Sequence, residues 1–419
     1  MIGYRCFACA ATQDAAFGGF VCPACGGNLD IEYDYDQAAR AFPRGGRGAP
    51  RDIFDYAAAL PVFPDKTFPL RVGATPLYKP RRLGAWLGMD WLYLKDESGN
   101  PSASIKDRAS AVALQKAIDT QADVIAAAST GNAGSSLACL AAALGKKAVV
   151  FVPETAPAAK LTQLLSYGAT VLAVRGSYDD AFELCLAAAA EFGWFNRNTG
   201  YNPFTREGKK TCSYEIWDAL GSKMPDRIVV ATGDGNVLSG IWKGCRDLLA
   251  MGLVDALPKI DAAQSTTSDA ISRTVHKLRR RGTNIDWSKV DVEAVSATTV
   301  ADSIAVDRPR DGLAAVKAVI ESGGEAVAVP DDEILAAIPD MSRLAGVFPE
   351  PAAAAPLAAL KKMLANKTAD PDERVVLIVS GSGLKDVGHA AEAAARPTVI
   401  EPTLEAVIRS MDERRQSRD

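Results

Sequence analysis

The chain has 419 residues, 48% hydrophobic and 23% charged, a globular composition too long for one simple core, so two main domains plus an appendage are expected. A net charge of -4, without basic runs or interleaved aromatics, argues against nucleic acid as a partner. The first residues lack the apolar run of a signal peptide and no stretch reaches the roughly 18 apolar residues of a membrane span, so the expected setting is the cytoplasm, with no membrane partner.

At the N-terminus, Cys6-Phe-Ala-Cys9 and Cys22-Pro-Ala-Cys25 form two CxxC knuckles. Four thiolates so spaced can close a tetrahedral shell around Zn²⁺, and Gly26-Gly27 permits the turn that brings backbone N–H groups to the sulfurs. A redox pair would instead need a single CxxC at a helix start. A closed four-thiolate shell leaves no open position for catalysis, so the metal is expected to be structural. Cys139, Cys185, Cys212 and Cys245 are scattered through apolar or helical contexts, which suits a reducing compartment. Glycines and prolines from Phe42 to Pro50 mark a linker. Residues 1–34 are therefore expected as a zinc-ribbon-like segment and 35–70 as a linker and arm.

From about residue 70, short apolar runs alternate with helix-length segments. The runs begin at Trp91, Val124, Lys147, Thr170, Arg227 and Val375. Runs buried on both faces and separated by helices indicate parallel α/β sheets. In such sheets ligands bind beyond the carboxyl ends of the strands, which directs attention to three loops.

The first loop runs from Glu97 through Asn100-Pro-Ser-Ala-Ser-Ile-Lys-Asp-Arg108. Lys106 stands at a predicted helix start, where the macrodipole disfavours a cation and depresses its pKa, as a nucleophilic lysine requires. Taken alone, the segment is better satisfied by a solvated lysine in a Lys-Asp-Arg charge cluster. The second, Ser129-Thr-Gly-Asn-Ala-Gly-Ser135, follows a strand and precedes a helix, aiming hydroxyls and N–H groups at an anion; an ordinary N-cap would explain one serine, not the run. The third, Gly233-Asp-Gly-Asn-Val-Leu-Ser-Gly240, reads as strand, glycine loop and helix, a phosphate cradle or else a plain glycine turn. It matches no nucleotide-binding motif.

Together these segments resemble the threonine synthase branch of the fold type II (tryptophan synthase beta-like) pyridoxal-phosphate enzymes, over roughly residues 70 to 390. Asn202-Pro203 with Glu207-Gly208, the run from Phe348-Pro-Glu-Pro351, and Ser380-Gly-Ser-Gly383 belong to the same resemblance. It implies two three-layer α/β domains with mostly parallel sheets, a large cofactor domain (71–110 and 191–400) and a small one (111–190), with 401–419 a charged tail expected to fray. A homodimer is also implied.

The resemblance makes Lys106 the Schiff-base lysine and general base, Asn132 the partner of the cofactor 3-hydroxyl, Gly233, Asp234, Gly235, Asn236 and Val237 the phosphate cradle, and Ser380 the group facing the pyridine nitrogen. Ser129, Thr130 and Gly131 would hold the substrate carboxylate. For O-phosphohomoserine, which loses phosphate at the γ carbon before water adds at the β carbon, a second anion site is needed, with Ser104, Arg108, Ser135 and Arg206 as candidates. Ala103, Ile105, the Thr205-Arg206 pair, Asp234 and Ser382 depart from the family pattern. The alternative is another activity of the fold: β-replacement on phosphoserine, as in cysteate synthase, or an ammonia lyase acting on serine, threonine or diaminopropionate. A catalytically silent protein of the same fold is a third reading, against which the retained Lys106 argues.

Overall fold

The computed structural model describes residues 1–43, 50–63, 68–156, 158–282, 284–394 and 396–416. Residues 44–49 of the expected linker and 417–419 of the expected tail lie outside the described residues. Three sheets organise the rest. In the first, β1 (Gly3–Cys6) pairs antiparallel with β2 (Thr12–Asp14) and β3 (Leu29–Glu32). The other two are built from β4 (Leu77–Tyr78), β5 (Leu92–Asp96), β6 (Val124–Ala128), β7 (Lys147–Pro153), β8 (Thr170–Val174), β9 (Phe195–Asn196), β10 (Arg227–Ala231), β11 (Lys259–Ser265), β12 (Ala326–Val329) and β13 (Val375–Val379). Their orders are β12-β11-β10-β13-β5-β4, parallel except for the edge strand β4, and β8-β7-β6-β9, parallel throughout.

Strand β13 shows why the larger sheet forms. Its Val-Val-Leu-Ile-Val run is buried along its whole length, and side-chain alternation sends Val376 and Ile378 to one core and Val375, Leu377 and Val379 to the other. The first core includes Leu238 and Ile241 of the helix Asn236–Ala250, the second Ala353 and Leu357 of the helix Pro351–Ala365. Helices thus cover both faces, as a parallel sheet demands. Truncating Leu377 to Ala is expected to cost about 2–5 kcal/mol.

The structure differs from the sequence reading in several places, and its strands β4 and β12 are not among the runs read as strands. Strand β11 interrupts its apolar run with Asp261, buried because its carboxylate accepts from Arg227 at 2.7 and 2.8 Å, and so carries no clear strand signal. Strand β9 pairs with β6, so the smaller sheet reaches past residue 190. The tail holds a helix, Leu404–Gln416, where fraying was expected. Among the described residues no helix is long and apolar enough to cross a membrane.

Candidate active site

Beyond β5 the chain turns through a tight loop to Lys106, the first residue of the helix Lys106–Asp119. Asp107 anchors the loop, accepting from the backbone N–H and the hydroxyl of Ser102 at 2.6 Å each. Ala103 has φ 63°, a left-handed conformation strained for a residue with a Cβ. The helix is seated against Gly208 of the helix Phe204–Ala219, where a Cβ would lie 1.9 Å from the Arg108 carbonyl oxygen. Lys106 is partly buried, and among the described residues its ammonium has no hydrogen-bond or ion-pair partner. Burial pulls it below the ordinary lysine range; Glu350 works against this and Arg197 adds to it.

Ser129, Thr130 and Gly131 link β6 to the helix Asn132–Ala143. The Gly131 N–H donates to Ser129 Oγ at 3.3 Å, and the helix start behind them favours an anion. Asn132 donates its side-chain amide to both Glu350 oxygens at 2.9 Å. Glu350 is the N-cap residue of the helix Pro351–Ala365, so this contact crosses between the two parallel sheets. Burial raises the Glu350 carboxyl, with Asn132 and then Lys106 pulling the other way.

After β10 the chain passes through Gly233, Asp234 and Gly235 into the helix Asn236–Ala250. Gly235 has φ 92°, and a Cβ there would sit 2.8 Å from the Asp311 carbonyl oxygen. Any larger residue would deform the loop at the helix N-terminus, where backbone N–H groups and the dipole attract phosphate. Asp234 accepts from the Arg310 backbone N–H at 2.6 Å; burial, then the nearby Asp311 charge, pushes its carboxyl up to about 6. Behind the loop, Lys209 donates to the side-chain oxygen of Asn236. Ser380 follows β13, and its carbonyl accepts from the Ile105 N–H at 2.9 Å, tying this loop to the lysine loop.

One cavity of about 360 Å³ gathers these segments. Lys106, the run Ser129 to Asn132, the run Gly233 to Val237 and Ser380 all line it. The family model described as pyridoxal-phosphate dependent enzyme matches residues 69–381. The chain belongs to the pyridoxal-phosphate-dependent enzymes. Within that family it is similar to proteins named threonine synthase: it is 37% identical to that of Methanocaldococcus jannaschii, over 98% of this chain and 99% of the relative, and 35% identical to that of Methanosarcina acetivorans, over 97% and 98%. These are threonine synthase family relatives along nearly the whole chain. Two solved structures share the fold: threonine deaminase isoform 2 from Solanum lycopersicum (TM-score 0.64, 20% identity, 76% of this chain and 87% of that one) and diaminopropionate ammonia lyase from Escherichia coli (TM-score 0.64, 17% identity, 90% and 94%).

The residues of this pyridoxal-phosphate enzyme fit its cofactor: an ammonium without a partner faces the same cavity as a glycine cradle at a helix start. The arginines expected at a second anion site lie elsewhere, and that expectation is corrected. Arg108 is fully buried, its guanidinium donating to Glu97 at 2.7 and 2.8 Å and to Glu215 at 2.6 and 2.7 Å. Arg206 is paired with Asp311 and donates to the Leu29 carbonyl at 2.8 Å, turned toward the N-terminal sheet. Ser104 is buried in a backbone bridge to Gly381, and Ser135 Oγ accepts from Lys385 at 2.8 Å. None of the four lines the cavity.

The sequence reading gave no role to Glu350, Lys209 or Arg197. Glu350 stood within a recognised run. The signal for Lys209 was available only as a lysine pair, Lys209-Lys210, in a helix that also carries Arg206, Glu207, Glu215 and Asp218, and Arg197 gave none.

The cysteine cluster lies apart from the cavity. The Sγ atoms of Cys6, Cys9, Cys22 and Cys25 all lie within 4.8 Å of one another, with separations of 3.4 to 3.7 Å among the bonded pairs. A tetrahedral shell at about 2.3 Å from Zn²⁺ spaces its sulfurs roughly 3.8 Å apart, so the donor set fits that ion. The N-terminal segment also meets the wall of the site: Asn28 donates to the Arg310 carbonyl at 2.7 Å and to Asp311 at 2.8 Å.

Proposed function

We propose that this enzyme converts O-phospho-L-homoserine and water to L-threonine and phosphate, as its family relatives' name implies. The observation that carries the reading is the single cavity in which Lys106 faces the glycine cradle and the Ser129 run, in a chain aligned almost end to end with threonine synthases.

Lys106 would carry the cofactor through Nζ, the Gly233–Val237 loop would hold its phosphate, Asn132 would meet its 3-hydroxyl and Ser380 its ring nitrogen. When bound, the cofactor supplies the electron sink for negative charge at the substrate α carbon, and a neutral serine at the ring nitrogen moderates that sink. Ser129, Thr130 and Gly131 orient the substrate carboxylate. Lys106 Nζ, once free, takes the proton from the α carbon and moves protons at the β carbon while phosphate leaves from the γ carbon. Its position in a partly buried site at a helix start favours the neutral amine this work requires. The four N-terminal cysteines would hold a structural zinc. The two parallel sheets are read as a large cofactor lobe and a small lobe.

A second reading, elimination of an unphosphorylated amino acid, is favoured by one observation: Arg108 and Arg206 are committed to carboxylates. Product analysis separates the two. Purified holoenzyme given O-phospho-L-homoserine should release phosphate and threonine in equal amounts. A keto acid and ammonia from serine, threonine or diaminopropionate, with phosphohomoserine untouched, would reject the threonine synthase reading.

A further inference from the structure

Among the described residues eight lysine and arginine side chains are buried almost completely. Lys95, Arg108, Arg206, Lys210, Arg227 and Lys243 each meet a carboxylate. Among the described residues Lys209 and Arg197 form no ion pair. Arg197 donates to Ser110 Oγ at 3.1 Å and Thr199 Oγ1 at 2.8 Å, and its Nη2 has no partner. Lys209 has only the amide oxygen of Asn236, which it shares with the Thr205 hydroxyl. A buried ammonium held by one neutral acceptor is costly unless an anion completes its shell.

The two differ in access. Lys209 lines the cavity together with Asn236 and Lys106, whereas Arg197 lies behind its wall. Of the neighbouring carboxylates, Asp311 is engaged by Arg206, Ser239 and Asn236, while Asp234 accepts from the Arg310 backbone through one oxygen and keeps the other buried without a hydrogen-bond partner, and among the described residues neither forms an ion pair with Lys209.

We propose that Lys209 is a phosphate-binding residue of the site, its ammonium completed by a phosphate dianion that lies between it and the start of the Asn236 helix. Two phosphates can enter here, the cofactor's and the one that leaves O-phospho-L-homoserine; the second rests on the threonine synthase reading. The buried environment also explains why the group lies so low without a ligand: burial first, then the Lys106 and Arg197 charges, pull it well below the ordinary lysine range. A bound dianion reverses that balance and restores the ammonium.

The test compares parent, Lys209→Met and Lys209→Gln holoenzymes in two arms. One titrates cofactor-free protein with pyridoxal phosphate and with pyridoxal. The other measures KM for O-phospho-L-homoserine and inhibition by inorganic phosphate, with L-threonine binding as the phosphate-free control. A charge-assisted contact predicts a loss of about tenfold or more for the phosphorylated ligands of one arm, with pyridoxal or L-threonine changed by less than about threefold. Loss in the first arm assigns Lys209 to the cofactor phosphate, loss in the second to the departing phosphate. The cofactor-free variants should melt no lower than the parent, since each removes a buried amine held by a single acceptor. Phosphorylated ligands unaffected in both arms, or lost in parallel with their phosphate-free controls, would overturn the proposal. A parent that binds cofactor but leaves phosphohomoserine intact rejects the threonine synthase reading alone, and the first arm then decides the role of Lys209.

Discussion

The Asn132 side-chain amide donates to both carboxylate oxygens of Glu350 at 2.9 Å, joining the helix after β6 to the helix that covers β13. This is a direct polar tie between the halves of the site, and its acceptor lies close enough to raise the Lys106 ammonium against the effect of burial. Replacing Glu350 by Gln keeps the shape and removes the charge. The pH midpoint for cofactor capture by cofactor-free enzyme should then move to lower pH, as read from stopped-flow absorbance across pH. A midpoint that stays put would show that Glu350 does not act on Lys106.

Asp234 supplies a second pH dependence. Its carboxyl is raised to about 6 from an unfolded value near 3.9, so the folded chain binds the proton more tightly than the unfolded one. That stability is fully present below about pH 4 and is lost as pH rises through about 6. Asp234→Asn keeps the acceptor for the Arg310 N–H and removes the ionisation. Thermal midpoints of the cofactor-free variant should exceed the parent's at pH 8 and match them at pH 4. Equal midpoints at both pH values would contradict this.

Arg108 distinguishes a structural role from substrate binding. Its guanidinium satisfies Glu97, Glu215, Thr75 and Thr211 at once, and Lys95 adds a bond of 2.7 Å to Glu215. Arg108→Met leaves two buried carboxylates short of a counter-ion and should cost about 3–5 kcal/mol in urea unfolding. The folded fraction should keep the parent KM for O-phospho-L-homoserine. A raised KM at unchanged stability would return Arg108 to the substrate site.

The ribbon lends itself to metal removal. Atomic emission on purified protein should find about one zinc per chain. Because Asn28 bonds Arg310 and Asp311, and Arg310 and Asp311 bond Asp234 and Asn236 of the glycine loop, stripping the metal should weaken cofactor binding as well as the N-terminal sheet. Unchanged cofactor affinity in zinc-free protein would uncouple the two.

The sequence made strands β6, β8 and β13 readable to the residue: β6 and β13 are apolar runs buried within their sheets, and β8, largely exposed at its sheet's edge, shows through its Val-Leu-Ala-Val run. Loops after strands then exposed Lys106, the Ser129 run and the glycine loop. Where the reading failed, the cause was charge pairing that a single sequence cannot display. Arg108 and Arg206 stand beside the motifs of the site, but Glu215 and Asp311, about a hundred residues onward, take their charge. The converse holds for Lys209: nothing along the chain reveals that a lysine will be buried without a carboxylate. Asp261 hid β11 for the same reason, its partner Arg227 lying on the adjacent strand.

The central claim is that Lys106 carries the cofactor in an enzyme that releases phosphate from O-phospho-L-homoserine. The most direct measurement records the visible absorbance of parent and Lys106→Ala proteins with pyridoxal phosphate, then follows phosphate and threonine after substrate is added. The account predicts a visible band and both products for the parent, and neither for the folded variant. A parent without the band, or a Lys106→Ala protein that retains the band and turns over, would contradict it.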